Sequence, residues 1–393
     1  MTVLPLTRLS VSRSRIVVPR LDWFLVGSAA VIVGVGTLLV WSATANNDVL
    51  THGQSTAYLH KHLVNIAIGL VLAAAVTATD HRWVRIVTPG VYIASIIGLL
   101  LVLVMGSTIN GSRSWLMLGG MSVQPAEFAK LAVVIMMAML VAERTEASRG
   151  RGINAVDVVL MLAIAGVPAA LIMLQPDLGT MLVLSATVFG VLAVAGVRRR
   201  WLVGLFLAGA SVAALVVTAG VLKQYQINRF MAFTNPALDP RGAGYNTTQA
   251  RIAIGNGGLF GRGLFDGSQT RSRFVPEQHT DFIFTVAGEE LGLIGAGVLI
   301  LLFAALIWRA LWISSNADDM FGRVAAAGIA CWFAFQTFQN IGMCLGIMPV
   351  TGVPLPLVSY GGSSMFASMM ALGLLQNIAM RGSAVSRAVG RSY

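Results

Sequence analysis

The chain has 393 residues, of which 56% are hydrophobic and only 11% charged, and its mean hydropathy of +0.78 excludes a soluble domain with an ordinary polar surface. The net charge of +11 would suggest nucleic acid binding in a soluble protein. In a membrane protein, however, Lys and Arg collect in cytoplasmic loops, so we expect membrane lipids and no nucleic acid as partners. These numbers predict an all-α, polytopic membrane protein.

The first apolar run extends from Leu21 to Ala43 and follows four arginines. This run is too long for the core of a signal peptide, which has about 7 to 15 residues. It therefore predicts an uncleaved first transmembrane helix that follows a cytoplasmic tail of residues 1–20.

Ten apolar windows approach the length of about 20 residues that a bilayer requires. They lie at residues 23–43, 62–79, 86–106, 126–142, 156–174, 178–197, 201–221, 283–309, 322–345 and 357–380. Placing the N-terminus in the cytoplasm puts most Lys and Arg of the short connections on the inner side. We predict ten transmembrane helices with both termini cytoplasmic, in a membrane domain over residues 21–381 that is followed by a cytoplasmic tail, 382–393.

Arg113 and Trp115 belong to a short outer turn, and Lys130 follows it. A cation at the outer surface could bind phosphate, with Arg offering bidentate contacts and Lys a point charge. A Trp at this depth also serves as an interfacial anchor, so a structural role is a plain alternative for it. We predict that these three residues contact the substrate.

Asp177 lies in the next outer connection, Gln175-Pro176-Asp177, directly before a predicted helix. Negative charge at a helix start is favoured by the helix dipole, and Pro suits the first turn. Helix capping therefore explains this acid as well as a contact with substrate does, and both interpretations stay open.

A long outer loop, predicted at residues 222–282 between the seventh and eighth membrane helices, is the longest polar segment. It carries seven basic residues: Lys223, Arg229, Arg241, Arg251, Arg262, Arg271 and Arg273. We expect Arg241, Arg251 and Arg262 to bind an anionic group of the substrate. The glycine-rich part at 255–267 lacks the phosphate-binding pattern of nucleotide-binding loops and is predicted to be a flexible loop.

Glu277 and Asp281 lie where this loop enters the next apolar segment. Because ionisable groups are costly in hydrocarbon, an acid at this depth is a candidate functional residue. With Pro276 in the first helical turn, one helix face would carry Glu277, Asp281, Thr285, Glu289 and Gly292. We expect this face to line a cavity, while ion pairs with Arg or Lys are an equal alternative for Glu289 and Glu290.

The last outer segment, residues 348–364, combines three prolines with many small residues. Irregular backbone at this depth is tolerated only where it is buried in protein or lines a cavity. We therefore expect it to form a wall of the same cavity, with Ser359 and Tyr360 in contact with the substrate.

Seven motifs in this order resemble the SEDS family, the shape, elongation, division and sporulation proteins. They are NGSRSW (110–115), QPAEFAK (124–130), QPDLGT (175–180), GYNTTQARIAIGNGGLFGRGL (244–264), PEQHTDFIF (276–284), GEELG (288–292) and PVTGVPLPLVSYGGSS (349–364). The resemblance extends from Leu21 to about Arg381, and the segment 348–352 is most similar to RodA-type members.

The resemblance implies a peptidoglycan glycosyltransferase of the bacterial plasma membrane that polymerises lipid II for cell-wall elongation, with a class B penicillin-binding protein as its transpeptidase partner. The essential acid of the family matches Asp281, the expected general base, and the preceding loop acid matches Glu277. The family's basic residue often directly precedes the outer-loop Trp, whereas here Ser114 separates Arg113 from it. We expect a divalent cation, Mg or Mn, and no organic cofactor.

Three other functions stay open at this point. The same cavity could carry lipid II across the bilayer, the chain could be a scaffold that recruits the transpeptidase, or it could be a division-type polymerase. All polar loop chemistry is predicted on one face and no inverted pair of interrupted helices is evident, which favours an enzyme.

Overall fold

The computed structural model describes residues 21–45, 54–109, 112–118, 121–147, 152–218, 224–240 and 242–389. Within these ranges the chain forms thirteen α-helices, a 3-10 turn and one small sheet. The predicted all-α, multi-pass membrane class is confirmed, since seven of the described helices are long and apolar enough to cross a membrane.

Ten long helices coincide with the ten predicted windows. They are α1 (Trp23–Ala45), α2 (Ala57–Ala78), α3 (His81–Met105), α4 (Pro125–Ala147), α5 (Ala155–Leu174), α6 (Leu178–Val194), α7 (Arg199–Thr218), α11 (Ile283–Ser315), α12 (Met320–Leu345) and α13 (Gly362–Val389). Of the described helices, α1 to α5, α11 and α13 meet the length and hydropathy needed for a span, and α6 is a shorter apolar helix. Ten crossings therefore stay a prediction.

The boundaries of the predicted domain are only partly within the described chain. The predicted N-terminal tail, residues 1–20, lies outside the described residues. At the other end α13 continues to Val389, so most of the predicted C-terminal tail extends this helix.

Three short strands form a small antiparallel sheet where the sequence predicted a simple turn. Its strands are β1 (Ser107–Ile109), β2 (Ser112–Leu118) and β3 (Met121–Val123), in the order β1-β2-β3. Thr108 pairs with Arg113, and Met117 pairs with Ser122. The sheet joins the end of α3 to the start of α4.

Three short helices lie in the long loop between α7 and α11. They are α8 (Gln224–Thr234), α9 (Ala243–Asn256) and α10 (Ser268–Ser272), with the 3-10 turn Pro236–Leu238 between the first two. The described part of this loop is therefore largely helical, and α9 packs against α11 and α12.

The central helix of the bundle is α12, which packs against α4, α6 and α11. Most of its residues between Phe321 and Cys344 are buried. A Cβ placed on Gly328 would lie 2.7 Å from Val134 on α4 and 2.8 Å from Val191 on α6, so the glycine lets the three helices approach closely.

The long helix α11 is interrupted at Gly292, which has φ 67° and ψ −170°. Around this break, two carbonyls and two N–H groups of α11 bond to the glycine-rich loop. The pairs are Arg262 N to Glu289 O (3.0 Å), Gly263 N to Glu290 O (3.1 Å), Leu293 N to Gly258 O (2.9 Å) and Ile294 N to Leu259 O (3.1 Å). The segment predicted as a flexible loop is therefore fixed to α11 by four backbone hydrogen bonds.

The predicted continuous helix face from Glu277 to Gly292 is wrong. Glu277 has a left-handed backbone (φ 51°), and α11 begins only at Ile283, after the N-cap residue Phe282. Pro276 thus precedes a turn and not a helix. Because the helix starts six residues after Glu277 and breaks again at Gly292, the acids of this segment face different surroundings.

Glu289 and Glu290 lie inside the protein, and no Arg or Lys among the described residues forms a salt bridge with them. The Glu289 carboxylate accepts hydrogen bonds from the N–H groups of Gln269 (2.8 Å) and Thr270 (2.9 Å) at the start of α10. Glu290 accepts one from the hydroxyl of Ser42 on α1 (2.6 Å). The Glu289 carboxylate therefore holds the backbone at the start of α10, and Glu290 links α11 to the side chain of Ser42 on α1.

We predict that Glu289→Gln lowers the stability of the fold. A glutamine keeps one acceptor oxygen but loses the other, so it leaves a buried donor unsatisfied at a cost of roughly 1–3 kcal/mol. Thermal unfolding of the purified protein in detergent should show a lower midpoint. Glu143→Gln, which changes an exposed carboxylate on α4, is the matched control and should leave the midpoint unchanged. Equal midpoints for wild type and Glu289→Gln would contradict the anchoring role.

Candidate active site

Asp281 lines a cleft of about 220 Å³ at one end of the bundle. Five segments that are far apart in sequence form it: strands β2 and β3, the start of α6, α8, the turn 277–281 and the segment 351–364. Its charged lining residues are Asp177, Arg229, Glu277 and Asp281. Its hydroxyl-bearing lining residues are Ser112, Ser114, Ser122, Thr280, Thr351, Tyr360, Ser363 and Ser364.

A tight turn sets the position of Asp281. The carbonyl of Glu277 accepts hydrogen bonds from the N–H groups of Thr280 (3.2 Å), Asp281 (3.1 Å) and Phe282 (3.2 Å). Glu277 itself adopts the left-handed conformation that a residue with a side chain rarely uses, and such strained positions concentrate at functional sites. The turn thus holds both acids at the entrance to α11.

Gly352, in the segment that forms one wall of the cleft, faces the Asp281 carboxyl. Gly352 has a left-handed backbone (φ 71°), and a Cβ at this position would lie 3.1 Å from Oδ2 of Asp281. The backbone conformation therefore favours glycine here, and a side chain at this position would press on the Asp281 carboxyl. On the other side, the backbone carbonyl of Asp281 accepts a hydrogen bond from the side chain of Asn340 on α12 (2.7 Å).

The electrostatic surroundings favour the neutral form of Asp281. Burial raises the pKa of this carboxyl to about 7, with further increases from the negative charges of Glu277 and Asp177, while Arg229 acts in the opposite direction. A carboxyl with a pKa near neutrality accepts a proton more readily than an ordinary aspartate does. The site therefore suits proton transfer.

Arg229 is the one cation that lines the cleft among the described residues. It lies on α8 and is half-buried. It is one of the seven basic residues of the loop, and nothing in the sequence distinguishes it as a lining residue from the other six. Its position beside the acids makes it the candidate partner for an anionic group.

The cations predicted around the first outer turn lie elsewhere. Arg113 donates hydrogen bonds to the carbonyls of Gly106 (2.8 Å) and Val104 (2.7 Å), and thereby caps the end of α3. Lys130 is fully buried, with its ammonium 2.7 Å from Glu127 Oε1 and 2.7 Å from the side-chain oxygen of Gln336. Neither side chain lines the cleft.

The remaining predicted loop cations are also outside the cleft or outside the described residues. Arg262 bonds through its guanidinium to the carbonyl and the side-chain oxygen of Asn256, which fixes the glycine-rich loop. Arg251 is exposed on α9 beside Gly346. Arg241 is not among the described residues. A contact of these arginines with substrate stays a prediction.

Asp177 combines the two roles that the sequence left open. Its carboxylate accepts hydrogen bonds from the N–H (3.0 Å) and hydroxyl (2.8 Å) of Thr180, and so caps α6. It also accepts one from the side chain of Gln124 (3.1 Å) and lines the cleft. A structural role and a place in the cleft therefore coexist in this residue.

Ser359 and Tyr360 differ in their access to the cleft. Ser359 is buried, donates its hydroxyl hydrogen to the carbonyl of Thr280 and accepts the N–H of Leu355 (2.8 Å), so it holds the wall against the turn. Tyr360 lines the cleft, and its N–H donates to the carbonyl of His279 (2.9 Å). Ser359 thus acts on the backbone beside Asp281, and Tyr360 faces the cavity.

Aromatic rings lie on two sides of the cleft. The ring of Tyr360 packs 5.0 Å from that of Tyr58 and 5.7 Å from that of His279, measured between centroids. Burial raises the pKa of Tyr360, followed by the effect of Tyr58, so its hydroxyl stays protonated as a hydrogen-bond donor. Trp115 lines the hairpin side. Flat apolar rings combined with many hydroxyl groups suit a carbohydrate, which has both apolar and polar faces.

The residues described here assemble no complete metal site. No group of three or more His, Cys, Asp or Glu side chains in the described part of the chain is arranged to hold a metal ion. The divalent cation stays a prediction, with no set of ligands assigned to it on this chain.

Comparison with known proteins gives the family. The profile of the family described as "Cell cycle protein", which groups FtsW, RodA and SpoVE, matches residues 22–384. The peptidoglycan glycosyltransferase MrdB of Escherichia coli K12 is 37% identical over 352 residues, which cover 90% of this chain and 91% of that protein.

Solved structures agree with this match. One chain in a structure of a peptidoglycan synthase complex, described as coordinating polymerization and crosslinking, superimposes with a TM-score of 0.77 at 33% identity and covers 92% of this chain and 98% of its own length. The rod shape determining protein RodA of Thermus thermophilus gives a TM-score of 0.66 at 32% identity, with coverages of 91% and 96%. Because these matches extend over nearly the whole chain, it belongs to the FtsW, RodA and SpoVE family, the SEDS proteins, and is RodA-like.

Proposed function

We propose that this chain is a peptidoglycan glycosyltransferase that polymerises lipid II, with Asp281 as the general base. The enzyme class agrees with the name of the MrdB relative. The observation that carries the proposal is the carboxyl of Asp281, which faces a cleft of hydroxyl groups and aromatic rings with a pKa raised to about 7. Such a group can take a proton from a sugar hydroxyl at neutral pH.

The chemistry of the substrate defines what the residues must do. Lipid II is a disaccharide-pentapeptide linked through pyrophosphate to undecaprenol. The 4-hydroxyl oxygen of one sugar attacks the anomeric carbon of another, the hydroxyl proton goes to Asp281, and the bond to the pyrophosphate breaks. Since an α-linked pyrophosphate yields a β-linked product, the carbon is inverted, and a single base suffices without a covalent intermediate.

The departing pyrophosphate needs positive charge or hydrogen-bond donors beside it. Arg229 is the described cation of the cleft, and a guanidinium binds phosphate oxygens with two parallel hydrogen bonds. The serines of the hairpin and of the 361–364 segment are neutral donors that can orient the sugars. Arg229 therefore replaces Arg113 and Lys130 as the favoured group for the leaving anion.

The similarity to RodA-type proteins favours a role in cell-wall elongation over one in division. The related chain solved in a synthase complex supports a class B penicillin-binding protein as the transpeptidase partner. In the bacterial plasma membrane, the charge pattern of the sequence favours cytoplasmic termini, which puts the cleft on the outer surface. A lipid II transporter is the second candidate, because the same cleft and its charges would bind lipid II as cargo.

We predict that the purified protein in detergent converts lipid II into glycan chains that a muramidase cleaves. Asp281→Asn keeps the size and hydrogen bonding of the side chain but cannot take the proton, so turnover should fall by roughly 10²- to 10⁴-fold. The rate is measured from the loss of lipid II and the length of the products, with and without the transpeptidase partner, which can shift the protein toward its competent state.

A transporter would give the opposite result in the same assay. It would leave lipid II chemically unchanged in detergent and move labelled lipid II across a liposome membrane. If the folded protein leaves lipid II intact under all conditions, the proposed polymerase function is contradicted. If a folded Asp281→Asn variant polymerises at nearly the wild-type rate, the assignment of Asp281 as the base is contradicted. Thermal unfolding of each variant provides the control for folding.

A second prediction concerns pH. Because the base acts in its ionised form and burial raises the pKa of Asp281 to about 7, kcat/KM should rise with pH through about 7 and then level off. An ordinary aspartate would give a rise near pH 4, as its unperturbed pKa is about 3.9. The unfolding midpoint at each pH serves as the control. A rate that is flat through neutrality would exclude this carboxyl as the titrating base.

A third prediction concerns the two charged neighbours of Asp281, whose removal should shift the pH profile in opposite directions. Glu277→Gln removes a negative charge that raises the pKa of Asp281, so the rising limb of the profile should move to lower pH. Arg229→Gln removes a positive charge that lowers this pKa, so the limb should move to higher pH. Arg113→Gln, which lies outside the cleft, is the matched control and should not move it. Shifts of the same sign for Glu277→Gln and Arg229→Gln would contradict the arrangement.

A further inference from the structure

Asn340 on α12 has an unusual set of contacts. It is 0% exposed, and its amide nitrogen donates to two backbone carbonyls, those of Asp281 (2.7 Å) and Val353 (2.8 Å). A reversed amide would bring its oxygen against both carbonyl oxygens, so the two contacts fix its orientation. No motif in the sequence distinguishes this residue.

The two carbonyls belong to the residue that carries the acid and to the wall segment next to it. One is the backbone of Asp281 itself, at the end of its turn. The other belongs to Val353, directly after Gly352, whose Cα lies so close to the carboxyl that a Cβ would be 3.1 Å from Oδ2. One side chain therefore holds both the residue that carries the acid and the wall that faces it.

We propose that Asn340 is a positioning residue for glycosyl transfer, because its amide fixes how deeply the Asp281 carboxyl is set in the cleft. The inference rests on the proposed function, in which Asp281 takes the acceptor proton. Asn340 does not line the cleft, so it acts through Asp281 and not by touching the substrate.

The charges around Asp281 make this role measurable. The titratable groups that face the carboxyl are Glu277 from its own turn, Arg229 from α8, Asp177 from the start of α6 and Cys344 from α12. Asn340 is neutral, so replacing it by another neutral residue changes none of these charges. A change in the titration of Asp281 then reports on its position and exposure to water.

The test uses the full chain and two variants. Asn340→Leu has a similar size but no donors, and Asn340→Ser keeps one donor. For Asn340→Leu, kcat with lipid II should fall by about 10²-fold, the scale expected for a misplacement of about 1 Å. KM should stay unchanged, because the lost interaction supports only the transition state. The rising limb of its pH profile should move to lower pH, because a carboxyl that is more exposed to water has a lower pKa. Asn340→Ser should give a kcat and a pH profile between those of the wild type and Asn340→Leu.

Asn377→Leu is the matched control. Asn377 on α13 is also buried, and its amide donates to three backbone carbonyls, those of Val76, Thr77 and Thr79, none of which lines the cleft. We expect this variant to lower the unfolding midpoint as Asn340→Leu does, while kcat and the pH profile stay near those of the wild type.

Two results would overturn the proposal. The first is that Asn340→Leu and Asn377→Leu lose the same fraction of kcat when they lose the same stability. The second is that Asn340→Leu keeps the kcat and the pH profile of the wild type. If Asn340→Leu does not fold, Asn340→Ser is compared with Asn377→Leu in the same way. Failure of the base assignment is distinct, since it appears as an active Asp281→Asn variant.

Discussion

Polar backbone groups cannot remain unpaired in apolar surroundings, where each costs several kcal/mol, and this constraint explains how the wall of the cleft is built. The segment 351–361 departs from helical structure beside buried helices, and side chains bond to its backbone. Gln336 donates to the carbonyl of Pro354 (2.9 Å), Asn340 to that of Val353, and Ser359 accepts the N–H of Leu355. The cleft exists because these buried amides and hydroxyls replace the hydrogen bonds that a helix would make.

The polar side of α12 connects this wall to the rest of the bundle. The side-chain oxygen of Gln336 accepts hydrogen bonds from the ammonium of Lys130 and from the indole of Trp332, while its nitrogen reaches the wall. Lys130 is paired with Glu127 and lies 4.9 Å from the centre of the Trp332 ring. A buried ion pair is costly to break by removing one partner. The charges that looked like surface ligands in the sequence therefore join α4, α12 and the wall of the cleft.

The sequence could predict the helices and the central acid but not the direction of most side chains. Length and apolar composition are local properties, and a carboxyl at the junction of a loop and a helix is conspicuous, so the ten windows and Asp281 were within reach. Whether an arginine faces a cleft or caps a helix depends on tertiary packing, as Arg113 and Arg229 demonstrate. The hairpin strands are too short to show an alternating pattern. The role of Asn340 also depends on tertiary packing, because the sequence of an apolar helix does not show which carbonyls a side-chain amide reaches.

The docking of the glycine-rich loop on α11 makes the bend of that helix a joint property of two segments. Gly261 comes so close that a Cβ would lie 2.1 Å from the carbonyl of Glu290, which leaves no room for a side chain in the contact. If α11 became straight, it would have to release the loop, and the four loop backbone groups bonded to it would lose their partners together. A pull on the loop is therefore transmitted to the helix axis, and the two halves of α11 are held at a fixed angle by a part of the chain that precedes them in sequence.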